Sequence, residues 1–551
     1  VNGWAESYDI VVIGSGSAGF AAAMTAADAG LTAVICESTD KWGGSSAMSG
    51  GGMWLPNNPL MKADGAGDSR EEALAYLEAT VGDAGVSTSR ARREAFVDSV
   101  DDFVTTAQKY GMLLARGADY PDYYPERPGG KIGRALECEP FDAHAIGEWW
   151  ASSRGQDGVA FAVKTDDVWL LARAWSTASG MARGARVVGR MLGGAVKRQQ
   201  LVACGAGLMS SFLQIVVLDQ GTPLWLSSPL EELVVDSGRV VGVVVTRGGV
   251  ATRVEARRGV VLAGGGFDYN DAWRQQYTGV KAGWSSGSKG NLGHPLEVAM
   301  AAGADVGVSV EFMEDAWWGG SVPAAEAGGQ PMFIVGERSM PFSIMVDAAG
   351  SRFANESESY VDLGHHMLGH PVQGPFWLIA DAHHAHRYLR TYALDPRANK
   401  AMKAAGIMHS AGSLAELAAS IGADATTLRA TVDRFNGFAR AGIDGDFGRG
   451  NSAYDRYYGD PSVRPNPNLA PIEKAPFTAL RVVPGDLGTK GGVVTDEHAR
   501  ALRADGSVIE GLYAAGNNSA TVMGHTYPGP GSTIGPAVVF GLRAVRHMAA
   551  S

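Results

Sequence analysis

The sequence predicts an α/β protein in which a parallel-sheet domain is interrupted by an inserted α+β domain. Residues 9–13 form a short β-branched apolar run, typical of a buried parallel strand, and pass directly into a glycine-rich turn. The same strand-then-glycine pattern returns at residues 488–495 and 511–517. Between about 315 and 488 the composition shifts toward aromatic residues, Met, His and amphipathic helices. The sheet domain is therefore predicted to be discontinuous along the chain.

The expected division of the chain follows this shift in composition. With 551 residues the chain is long for one domain, so two or more domains are expected. Residues 1–315 and 489–551 are expected to form the sheet domain. Residues 316–488 are expected to form the inserted domain, which would supply the substrate-binding and catalytic part.

A nucleotide-binding fingerprint opens the sheet domain. Gly14, Gly16 and Gly19 fit the pattern G-x-G-x-x-G between the first strand and a helix predicted over residues 18–29. In such Rossmann-like units the first glycine permits a tight turn, the second lets a pyrophosphate approach the backbone, and the third lets the helix pack on the strand. The free N–H groups at the helix start then face the phosphates. A dinucleotide is therefore the expected ligand.

An acidic residue and a second glycine pair indicate which dinucleotide is bound. Glu37 follows a second predicted strand, residues 32–36, and lies 18 positions after Gly19, close to the spacing expected for a carboxylate that binds ribose hydroxyls. Glu rather than Asp, followed by the stretch KWGGSS at 41–46, favours FAD over NAD. We therefore expect a Rossmann-like domain that holds FAD non-covalently.

The expected cofactor-binding residues lie in glycine-rich turns, at the ends of strands or at the start of the last helix. They are Gly14, Ser15, Gly16, Ser17, Ala18, Gly19, Glu37, Ser38, Gly43, Gly44, Ser45, Ser46, Ala263, Gly264, Gly265, Gly516, Asn517, Ser532, Thr533 and Ile534.

Further elements are predicted from periodicity and turn residues. An irregular loop is predicted at residues 120–130, which contain three prolines and end in a glycine pair. The other predicted elements are helices over 70–81 and 89–110, a strand at 215–217, a hairpin of 233–236 with 240–245, and a buried strand entering three glycines at 259–266.

Composition narrows the range of partners. Charged residues make up 19% of the chain, the formal net charge is −11, and no dense basic run would neutralise a phosphate backbone, so nucleic acid is not expected. The cysteines Cys36, Cys138 and Cys204 show no metal-binding or disulfide pattern, which indicates buried small residues in a reducing compartment.

No metal site and no membrane span are predicted. The histidine pairs at 365–366 and 383–384 come without a carboxylate ligand set, which favours structural roles. The apolar stretches are too short and too often interrupted by glycine to cross a bilayer, and no signal peptide is recognised. We therefore expect a cytoplasmic protein, with peripheral membrane contact if its substrate resembles a lipid.

A glycine- and proline-rich loop near the C-terminus leads into an apolar helix. Residues 527–531 read YPGPG, and Ser532 or Thr533 is predicted to cap the helix with Pro536 in its first turn. The dipole and free N–H groups of such a helix would stabilise negative charge on a reduced flavin. The loop would then lie beside the reacting atoms.

At this point the chain resembles the FAD-dependent 3-ketosteroid Δ1-dehydrogenases over essentially its whole length. The resemblance rests on the motifs SGSAGFAAA, DKWGGSSAMSGGGMWLP, PDYYPE, ERSMPFSIMVDAAGSRFANES, DLGTKGGVVTD, EGLYAAGN and TYPGPGSTIG. Several of these motifs are shared with the wider fumarate-reductase-like flavoproteins, whereas TYPGPG and PDYY are more selective. The resemblance implies a 3-ketosteroid substrate and a separate electron acceptor, which the sequence does not identify.

The resemblance also implies catalytic residues. Tyr360, which follows the Asn-Glu-Ser segment, corresponds to the base that removes a proton from steroid C2. Tyr527 and the amide of Gly531 correspond to the donors that hydrogen-bond the C3 carbonyl, as an oxyanion hole for the enolate would. Tyr123 corresponds to the tyrosine that supports the base, although the adjacent Tyr124 is an alternative.

Three rival functions follow from the same motifs. A Δ4-(5α)-dehydrogenase would need the same oxyanion hole. A fumarate-reductase-like dicarboxylate reductase would need arginines for two carboxylates. It is disfavoured because no Arg follows Ala515 and Gly516 in the stretch that ends at the YPGPG loop. A non-catalytic flavin-binding protein is disfavoured by the coincidence of three tyrosines. The motifs do not reveal the side chain or ring saturation of the steroid.

Overall fold

The predicted α/β class is confirmed by the computed structural model of the protein, which describes residues 3–158, 162–301, 307–372, 374–390, 392 and 395–551. The strands are β1 (Glu6–Ile13), β2 (Ala33–Cys36), β3 (Met53–Trp54), β4 (Leu114–Arg116), β5 (Ala135–Cys138), β6 (Phe141–Asp142), β7 (Leu201–Val202), β8 (Leu224–Trp225), β9 (Leu230–Asp236), β10 (Arg239–Arg247), β11 (Val250–Leu262), β12 (Val310–Glu311), β13 (Ala316–Val322), β14 (Met332–Phe333), β15 (Ser343–Val346), β16 (Phe376–Ala380), β17 (Met408–Ala411), β18 (Phe477–Thr489), β19 (Gly492–Val493), β20 (Arg500–Leu502) and β21 (Val508–Ala514).

The α-helices are α1 (Ser17–Asp28), α2 (Gly44–Met48), α3 (Pro59–Ala63), α4 (Arg70–Thr80), α5 (Arg90–Asp98), α6 (Val100–Lys109), α7 (Thr165–Leu171), α8 (Ala178–Val196), α9 (Cys204–Leu213), α10 (Asp271–Trp273), α11 (His294–Ala301), α12 (Gly336–Ser339), α13 (Tyr360–Gly369), α14 (Ala382–Arg387), α15 (Pro396–Ala404), α16 (Leu414–Ile421), α17 (Ala425–Ala441), α18 (Ala453–Tyr457) and α19 (Ile534–Ala550). Within the described residues, no helix combines the length and the apolarity needed to cross a bilayer.

The first sheet has β1 at its centre. Strands β2 and β11 pair with β1 in parallel, and β8 and β21 continue the parallel pairing on either side. Ile10, Val11 and Val12 are fully buried, as expected for a parallel strand covered on both faces. Helices α1 and α19 pack against each other beside this sheet. Gly541 permits that close approach, because a Cβ at this position would overlap the Ala18 carbonyl oxygen.

The second sheet is antiparallel and has the order β14-β13-β18-β16-β15, with β17 also paired to β18. The long strand β18 pairs with β13, and Ala316 lies opposite Thr489. The chain therefore enters and leaves this sheet on adjacent strands. We propose residues 316–488 as the inserted domain, because this pairing joins its two ends.

Two sequence predictions of secondary structure were wrong. Residues 215–217 are not a strand: Gln214–Asp219 is a π-helical turn that continues α9, and Ile215 and Val216 are buried in the core. Burial of this face overrides the β-propensity of the Ile-Val-Val run. The helix predicted over 89–110 is two helices, α5 and α6. They part at Ser99, whose backbone leaves helical geometry and whose hydroxyl accepts a hydrogen bond from Arg543.

Candidate active site

Glycine suits each of the three fingerprint positions for a different structural reason. Gly14 has a positive φ of 104°, and a Cβ there would lie 2.5 Å from the Ala263 carbonyl oxygen. A Cβ at Gly19 would overlap the Gly14 carbonyl oxygen. At Gly16, by contrast, a Cβ would meet only Ser46 Oγ, at 3.8 Å. The protein itself does not require a glycine at Gly16, which suits a position left open for a ligand.

Glu37 lies at the end of β2 beside the fingerprint turn. Its Oε2 accepts hydrogen bonds from the amide (3.1 Å) and hydroxyl (2.6 Å) of Ser15. Its Oε1 accepts from the amide and hydroxyl of Thr39, both at 3.0 Å, and from Ser38 Oγ at 3.3 Å. The buried carboxylate therefore fixes the turn against the end of β2, at the place where the sequence predicts contact with a ribose.

The second glycine pair lies next to the first turn. Gly43 adopts φ 102°, and its amide donates to Ser15 Oγ at 3.0 Å. Gly44, with φ 52°, would carry a Cβ 3.7 Å from the Gly16 Cα. Ser46 Oγ accepts from the Ser17 amide at 3.2 Å. The two predicted turns thus form one continuous cradle.

Two later segments complete this cradle. Ala263, at the end of β11, donates its amide to Ile13 of β1 at 2.8 Å, and the Gly264 amide donates to Asn518 Oδ1 at 3.0 Å. Gly265 (φ 82°) lies against Asn291, whose Nδ2 donates to Ser45 Oγ at 2.9 Å.

The turn after β21 contacts elements of both sheets. A Cβ at Gly516 (φ 65°) would lie 3.2 Å from the Ala18 side chain. The Oδ1 of Asn517 accepts from Trp317 Nε1, in β13, at 3.3 Å. This turn therefore joins the start of α1 to the sheet of the proposed inserted domain.

The three predicted catalytic tyrosines lie together although they come from distant parts of the chain. The ring centroids of Tyr123 and Tyr360 are 5.2 Å apart, those of Tyr360 and Tyr527 are 4.9 Å apart, and those of Tyr123 and Tyr527 are 5.2 Å apart. Their exposed fractions are 5%, 5% and 4%. Tyr360 begins α13, while Tyr123 lies in the irregular loop and Tyr527 in the YPGPG loop.

The two loops are tied together at the Pro528 carbonyl oxygen. It accepts from the Tyr123 amide at 2.9 Å and from the Tyr76 hydroxyl at 2.6 Å. Gly531 (φ 90°) packs against the backbone of residues 52–53, where a Cβ would overlap the Gly52 carbonyl, and its own carbonyl accepts from the Trp54 amide at 3.1 Å. The glycines of this loop are therefore needed for close backbone packing.

The buried hydroxyl groups of the cluster affect one another's pKa. Burial raises the pKa of Tyr123 and of Tyr360 well above the ordinary value of 10.0, and the neighbouring tyrosines reinforce the effect. At Tyr360 the nearby Tyr123 hydroxyl partly offsets the rise in pKa, whereas Tyr527 reinforces it. Burial also raises the pKa of Tyr527, but the nearby polar groups of Thr533, Tyr360 and the Gly531 amide oppose that rise. The Tyr527 oxygen therefore lies in the most polar part of the cluster.

The start of α19 differs in one detail from the prediction. The helix begins at Ile534, as expected, but neither Ser532 nor Thr533 caps it through its side chain. Ser532 Oγ instead donates to the Gly529 carbonyl at 2.7 Å, and Thr533 Oγ1 donates to the Tyr527 hydroxyl at 3.3 Å. Both side chains turn back to shape the YPGPG loop.

Tyr124 points away from the tyrosine cluster. Its hydroxyl donates to Asp362 at 3.0 Å, and the Arg127 guanidinium lies 4.6 Å from its ring centroid. Tyr123 contacts both other tyrosines. The geometry therefore favours Tyr123 over Tyr124 for the supporting role.

Further aromatic residues in the cluster were missed by the sequence analysis. Tyr454 lies 4.5 Å from the Tyr123 centroid, Phe333 packs edge-on to Tyr360 at 5.1 Å, and Trp317 packs edge-on to Tyr527 at 5.3 Å. The signal for Tyr454 was the run YDRYY at 454–458, which places two tyrosines in one short helix and a third directly after it. Phe333 and Trp317 had no distinguishing motif.

A buried ion pair lies behind Trp317. Lys490 Nζ is 3.2 Å from Asp315 Oδ2 and 5.1 Å from the Trp317 ring centroid. Burial alone would raise the pKa of Asp315, but Lys490, His365 and His525 hold it well below its usual range. Lys490 lies in the DLGTKGGVVTD motif, but neither the glycines of this motif nor the family resemblance indicated the ion pair.

Arg338 and Arg352, the arginines considered for binding the carboxylates of a dicarboxylate substrate, bind other groups of the protein instead. Arg338 is fully buried and donates to the carbonyls of Glu356 and Glu358, just before Tyr360. Arg352 pairs with Glu356 and Asp444, both at 2.7 Å. The arginines therefore brace the segment that carries Tyr360.

The paired histidines have partners within the protein. Three bond to carboxylates: His365 to Asp315, His366 to Glu358 and His383 to Asp381. His384 contacts the Glu337 carbonyl. Across the described ranges no group of His, Cys, Asp and Glu could hold a metal ion, and the three cysteines are free and buried.

The cradle and the tyrosine cluster define the class of protein. Three features fit a large dinucleotide. Gly16 presents an open face, the start of α1 directs N–H groups that have no acceptor within the helix toward the cradle, and the buried Asn518 Nδ2 has no partner among the described residues. A family model described as "FAD binding domain" matches residues 9–534. The protein is thus a flavoprotein, and its cofactor is FAD.

Relatives narrow the class to one group. The chain is 43% identical to a 3-oxosteroid 1-dehydrogenase of Mycolicibacterium smegmatis, over 99% of this chain and 98% of the relative. A solved structure of 3-ketosteroid delta1-dehydrogenase from Sterolibacterium denitrificans, in complex with 1,4-androstadiene-3,17-dione, matches with a TM-score of 0.90 at 36% identity, over 99% of this chain and 100% of that one. The chain therefore belongs to the FAD-binding-domain family of oxidoreductases, in its 3-oxosteroid 1-dehydrogenase branch. The resemblance seen in the motifs is confirmed.

A second solved structure shows the breadth of the fold. The 3-ketosteroid-delta4-(5alpha)-dehydrogenase of Rhodococcus jostii, in complex with 4-androstene-3,17-dione, matches with a TM-score of 0.67 over 100% of this chain and 98% of that one. At 20% identity this match shows the shared fold alone.

Proposed function

We propose that the protein is a FAD-dependent 3-oxosteroid 1-dehydrogenase, which introduces a C1–C2 double bond into the A ring of a 3-ketosteroid. The observation that carries this proposal is the convergence of Tyr123, Tyr360 and Tyr527 with the Gly531 amide in one buried cluster beside the FAD cradle. Bound FAD supplies an acceptor for the hydride that leaves C1. The protein's own residues then have to bind the ketone and take the C2 proton.

The oxyanion hole is proposed to form from the Tyr527 hydroxyl and the Gly531 amide. The Gly531 amide opposes the rise in the pKa of Tyr527, which indicates that the two groups lie near each other. A C3 carbonyl oxygen placed between them would accept from both groups, and these bonds would strengthen as negative charge develops on that oxygen. Because Trp54 and the residue 52–53 backbone hold Gly531 closely, this donor is fixed before the substrate binds.

Tyr360 is proposed as the base that removes the C2 proton. Burial raises its pKa and disfavours the phenolate, whereas the nearby Tyr123 hydroxyl partly offsets that rise, so we infer that the base depends on Tyr123. No arginine or lysine is among the groups that most affect the pKa of Tyr360. Hydrogen bonding, rather than an adjacent cation, is therefore proposed to make this tyrosine basic enough.

Mixing the yellow enzyme anaerobically with 4-androstene-3,17-dione tests the proposal. A 1-dehydrogenase should bleach the visible flavin band and form the 1,4-diene. A Δ4-(5α)-dehydrogenase should leave this steroid unchanged because its C4–C5 bond is already unsaturated. Succinate serves as a control for dicarboxylate chemistry. Failure of 4-androstene-3,17-dione to bleach the flavin would refute the proposal.

We also propose the remaining cofactor contacts, partners and location. The cofactor-binding set from Gly14 to Ile534 is proposed to hold FAD without a covalent bond, which predicts that acid precipitation releases all of the flavin. Electrons then pass to an acceptor that is not yet identified. The three free buried cysteines support a reducing, cytoplasmic location.

A further inference from the structure

Trp54, the last residue of β3, forms the surface on which the glycine-rich segment near the C-terminus packs. A Cβ at Gly529 would overlap the Trp54 indole ring, and a Cβ at Gly535, in the first turn of α19, would overlap the Trp54 carbonyl oxygen. The Trp54 amide donates to the Gly531 carbonyl at 3.1 Å. The course of the YPGPG loop and of the start of α19 therefore depends on where Trp54 is held.

Asp122 holds the indole of Trp54. The Oδ1 of Asp122 accepts a hydrogen bond from Trp54 Nε1 at 2.7 Å, and both side chains are fully buried. The next residue along the chain is Tyr123, which is proposed to support the base. This carboxylate therefore links the ring beneath the YPGPG loop to the loop that carries Tyr123.

A buried arginine fixes Asp122 from the other side. Arg134 Nη1 donates to Asp122 Oδ2 at 2.7 Å, and Arg134 Nε and Nη2 donate to the two oxygens of Asp68, both at 2.8 Å. The Lys131 amide gives Asp122 Oδ2 a second donor at 3.0 Å. The Arg134 guanidinium also lies 5.3 Å from the ring centroid of Tyr76, whose hydroxyl bonds to the YPGPG loop. Both oxygens of Asp122 are thus engaged, which holds the carboxylate in one orientation.

The ionised Asp122 side chain costs the folded protein stability at neutral pH. Burial raises the pKa of Asp122 to about 6, and Arg134 and the Trp54 indole only partly offset that rise. Because folding raises this pKa above the ordinary value of 3.8, ionisation of Asp122 at neutral pH opposes folding. Apolar groups can often replace a buried ion pair without loss of stability. A role in positioning therefore explains this network better than a role in stability.

We propose that Asp122 and Trp54 are a positioning pair, which sets the Gly531 amide relative to Tyr123 and so aligns the oxyanion hole with the base. The roles of Gly531 and Tyr123 are those of the proposed function, on which the positioning role therefore rests. The pair acts through the two loops that it holds. Loss of the pair should misalign these loops, and a misplacement of about 1 Å can lower a rate by roughly 10²-fold.

Stopped-flow reduction of the holoenzyme tests the positioning pair. Each variant is mixed anaerobically with 4-androstene-3,17-dione, and the amplitude and the rate of flavin bleaching are recorded separately. A purely structural defect lowers the amplitude, because less folded holoenzyme is present, but leaves the rate of the remaining holoenzyme unchanged. Misalignment of the two loops lowers the rate itself.

Two variants break the pair from opposite sides. Asp122→Asn has a single acceptor oxygen, so it cannot accept from both Trp54 and Arg134. Trp54→Phe removes the indole donor but keeps the bond of Asp122 to Arg134, so it carries the test if Asp122→Asn yields no holoenzyme. Each variant should lower the bleaching rate by about tenfold or more, while KM changes by less than about threefold.

An isotope effect identifies the step that is slowed. With steroid deuterated at C2, both variants should show a primary isotope effect on bleaching at least as large as that of the unmodified enzyme. The reason is that misalignment of the oxyanion hole with the base slows proton removal, and not hydride transfer alone.

Matched controls separate the pair from a general loss of packing. Asp68→Asn removes a buried carboxylate from the same Arg134 but leaves the bonds of Asp122 to Trp54 and Arg134. Trp377→Phe removes a similar ring volume from a hydrophobic cluster that includes β15 and β16. Both controls should bleach within about threefold of the unmodified rate.

A double variant tests whether the two residues act as one link. In Asp122→Asn/Trp54→Phe the rate should be no lower than in the more affected single variant, because both changes break the same hydrogen bond. In Asp68→Asn/Trp54→Phe the two effects should multiply, since they act at separate contacts.

Three outcomes would overturn the positioning role. They are unchanged bleaching rates in Asp122→Asn and Trp54→Phe, equal slowing in Asp68→Asn, and multiplied slowing in the Asp122→Asn/Trp54→Phe variant. If the unmodified holoenzyme does not bleach with the steroid, the proposed function fails and the positioning role fails with it. If it bleaches and the variants of the pair match its rate, only the positioning role fails.

Discussion

The FAD cradle and the tyrosine cluster are adjacent but are built in different ways. The cradle is made mainly of backbone: glycines at 14, 16, 43 and 44 shape it, and short hydrogen bonds such as that of Ser15 to Glu37 hold it. The tyrosine cluster is made of side chains from three loops or helix starts that are separated by more than a hundred residues. Backbone sites are encoded locally, whereas side-chain clusters depend on the whole fold.

This difference has a functional consequence. A cradle built from backbone binds the common part of the cofactor and is expected to tolerate changes in its side chains. The tyrosine cluster carries the specific chemistry, and removal of one hydroxyl is expected to matter greatly. Substitutions in each region should therefore affect different measurements: cofactor affinity for the cradle, and turnover of the bound enzyme for the cluster.

The largest expected effect is on turnover in the cluster. Tyr360→Phe and Tyr527→Phe should each lower kcat by about 10² or more, because a base or an oxyanion donor commonly contributes that much. Flavin content should stay the same. Tyr124→Phe is the matched control, since its hydroxyl bonds Asp362 outside the cluster, and it should keep kcat within about threefold. Normal turnover in Tyr360→Phe would remove it from the base role.

In the cradle, Gly16→Ala and Gly19→Ala should separate ligand space from protein packing. A Cβ at Gly16 meets no protein atom closer than 3.8 Å, so apo-protein unfolding should be unchanged while FAD affinity falls by about 1–3 kcal/mol. A Cβ at Gly19 overlaps the Gly14 carbonyl, so that variant should lower the unfolding temperature of the apo-protein. Thermal unfolding and flavin titration measure the two effects. Equal FAD binding by Gly16→Ala and the unmodified protein would show that the space before Gly16 is not used.

The pH dependence of the cluster should follow the raised pKa of Tyr360. A base whose pKa lies well above 10.0 is mostly protonated near neutral pH, so kcat/KM should rise by about tenfold per pH unit and show no plateau below pH 10. The residual rate of Tyr360→Phe should lack this slope. Steady-state rates on 4-androstene-3,17-dione between neutral pH and the onset of unfolding check the expectation. A plateau near neutral pH would indicate a different base.

The smallest expected effect concerns Tyr454, which packs on Tyr123. Tyr454→Phe keeps the ring and should change kcat by less than about threefold, whereas Tyr454→Ala opens a cavity beside Tyr123 and should lower kcat several-fold. Rescue by the conservative variant would identify Tyr454 as a positioning residue. If Tyr454→Phe is as impaired as Tyr454→Ala, its hydroxyl contributes to the chemistry as well.

The same contrast explains what the sequence could predict. The fingerprint glycines, β1, α1 and the start of α19 follow from local patterns, because a turn between a strand and a helix limits which residues fit. The π-helical turn at Gln214–Asp219 did not follow, because burial against the core outweighed strand propensity there. Tyr360 and Tyr527 were indicated only by family resemblance, since nothing local distinguishes a catalytic tyrosine from a packed one. No local pattern distinguishes Trp317 and Phe333, and their contacts with the catalytic tyrosines are evident only in the folded structure.

A single oxygen atom, the carbonyl of Pro528, holds both the Tyr123 amide and the Tyr76 hydroxyl. The loop that presents Tyr527 and the loop that presents Tyr123 are therefore anchored at the same atom. A substitution that displaces this peptide group is expected to displace both tyrosines together, so that carbonyl binding and proton removal change in one step rather than independently.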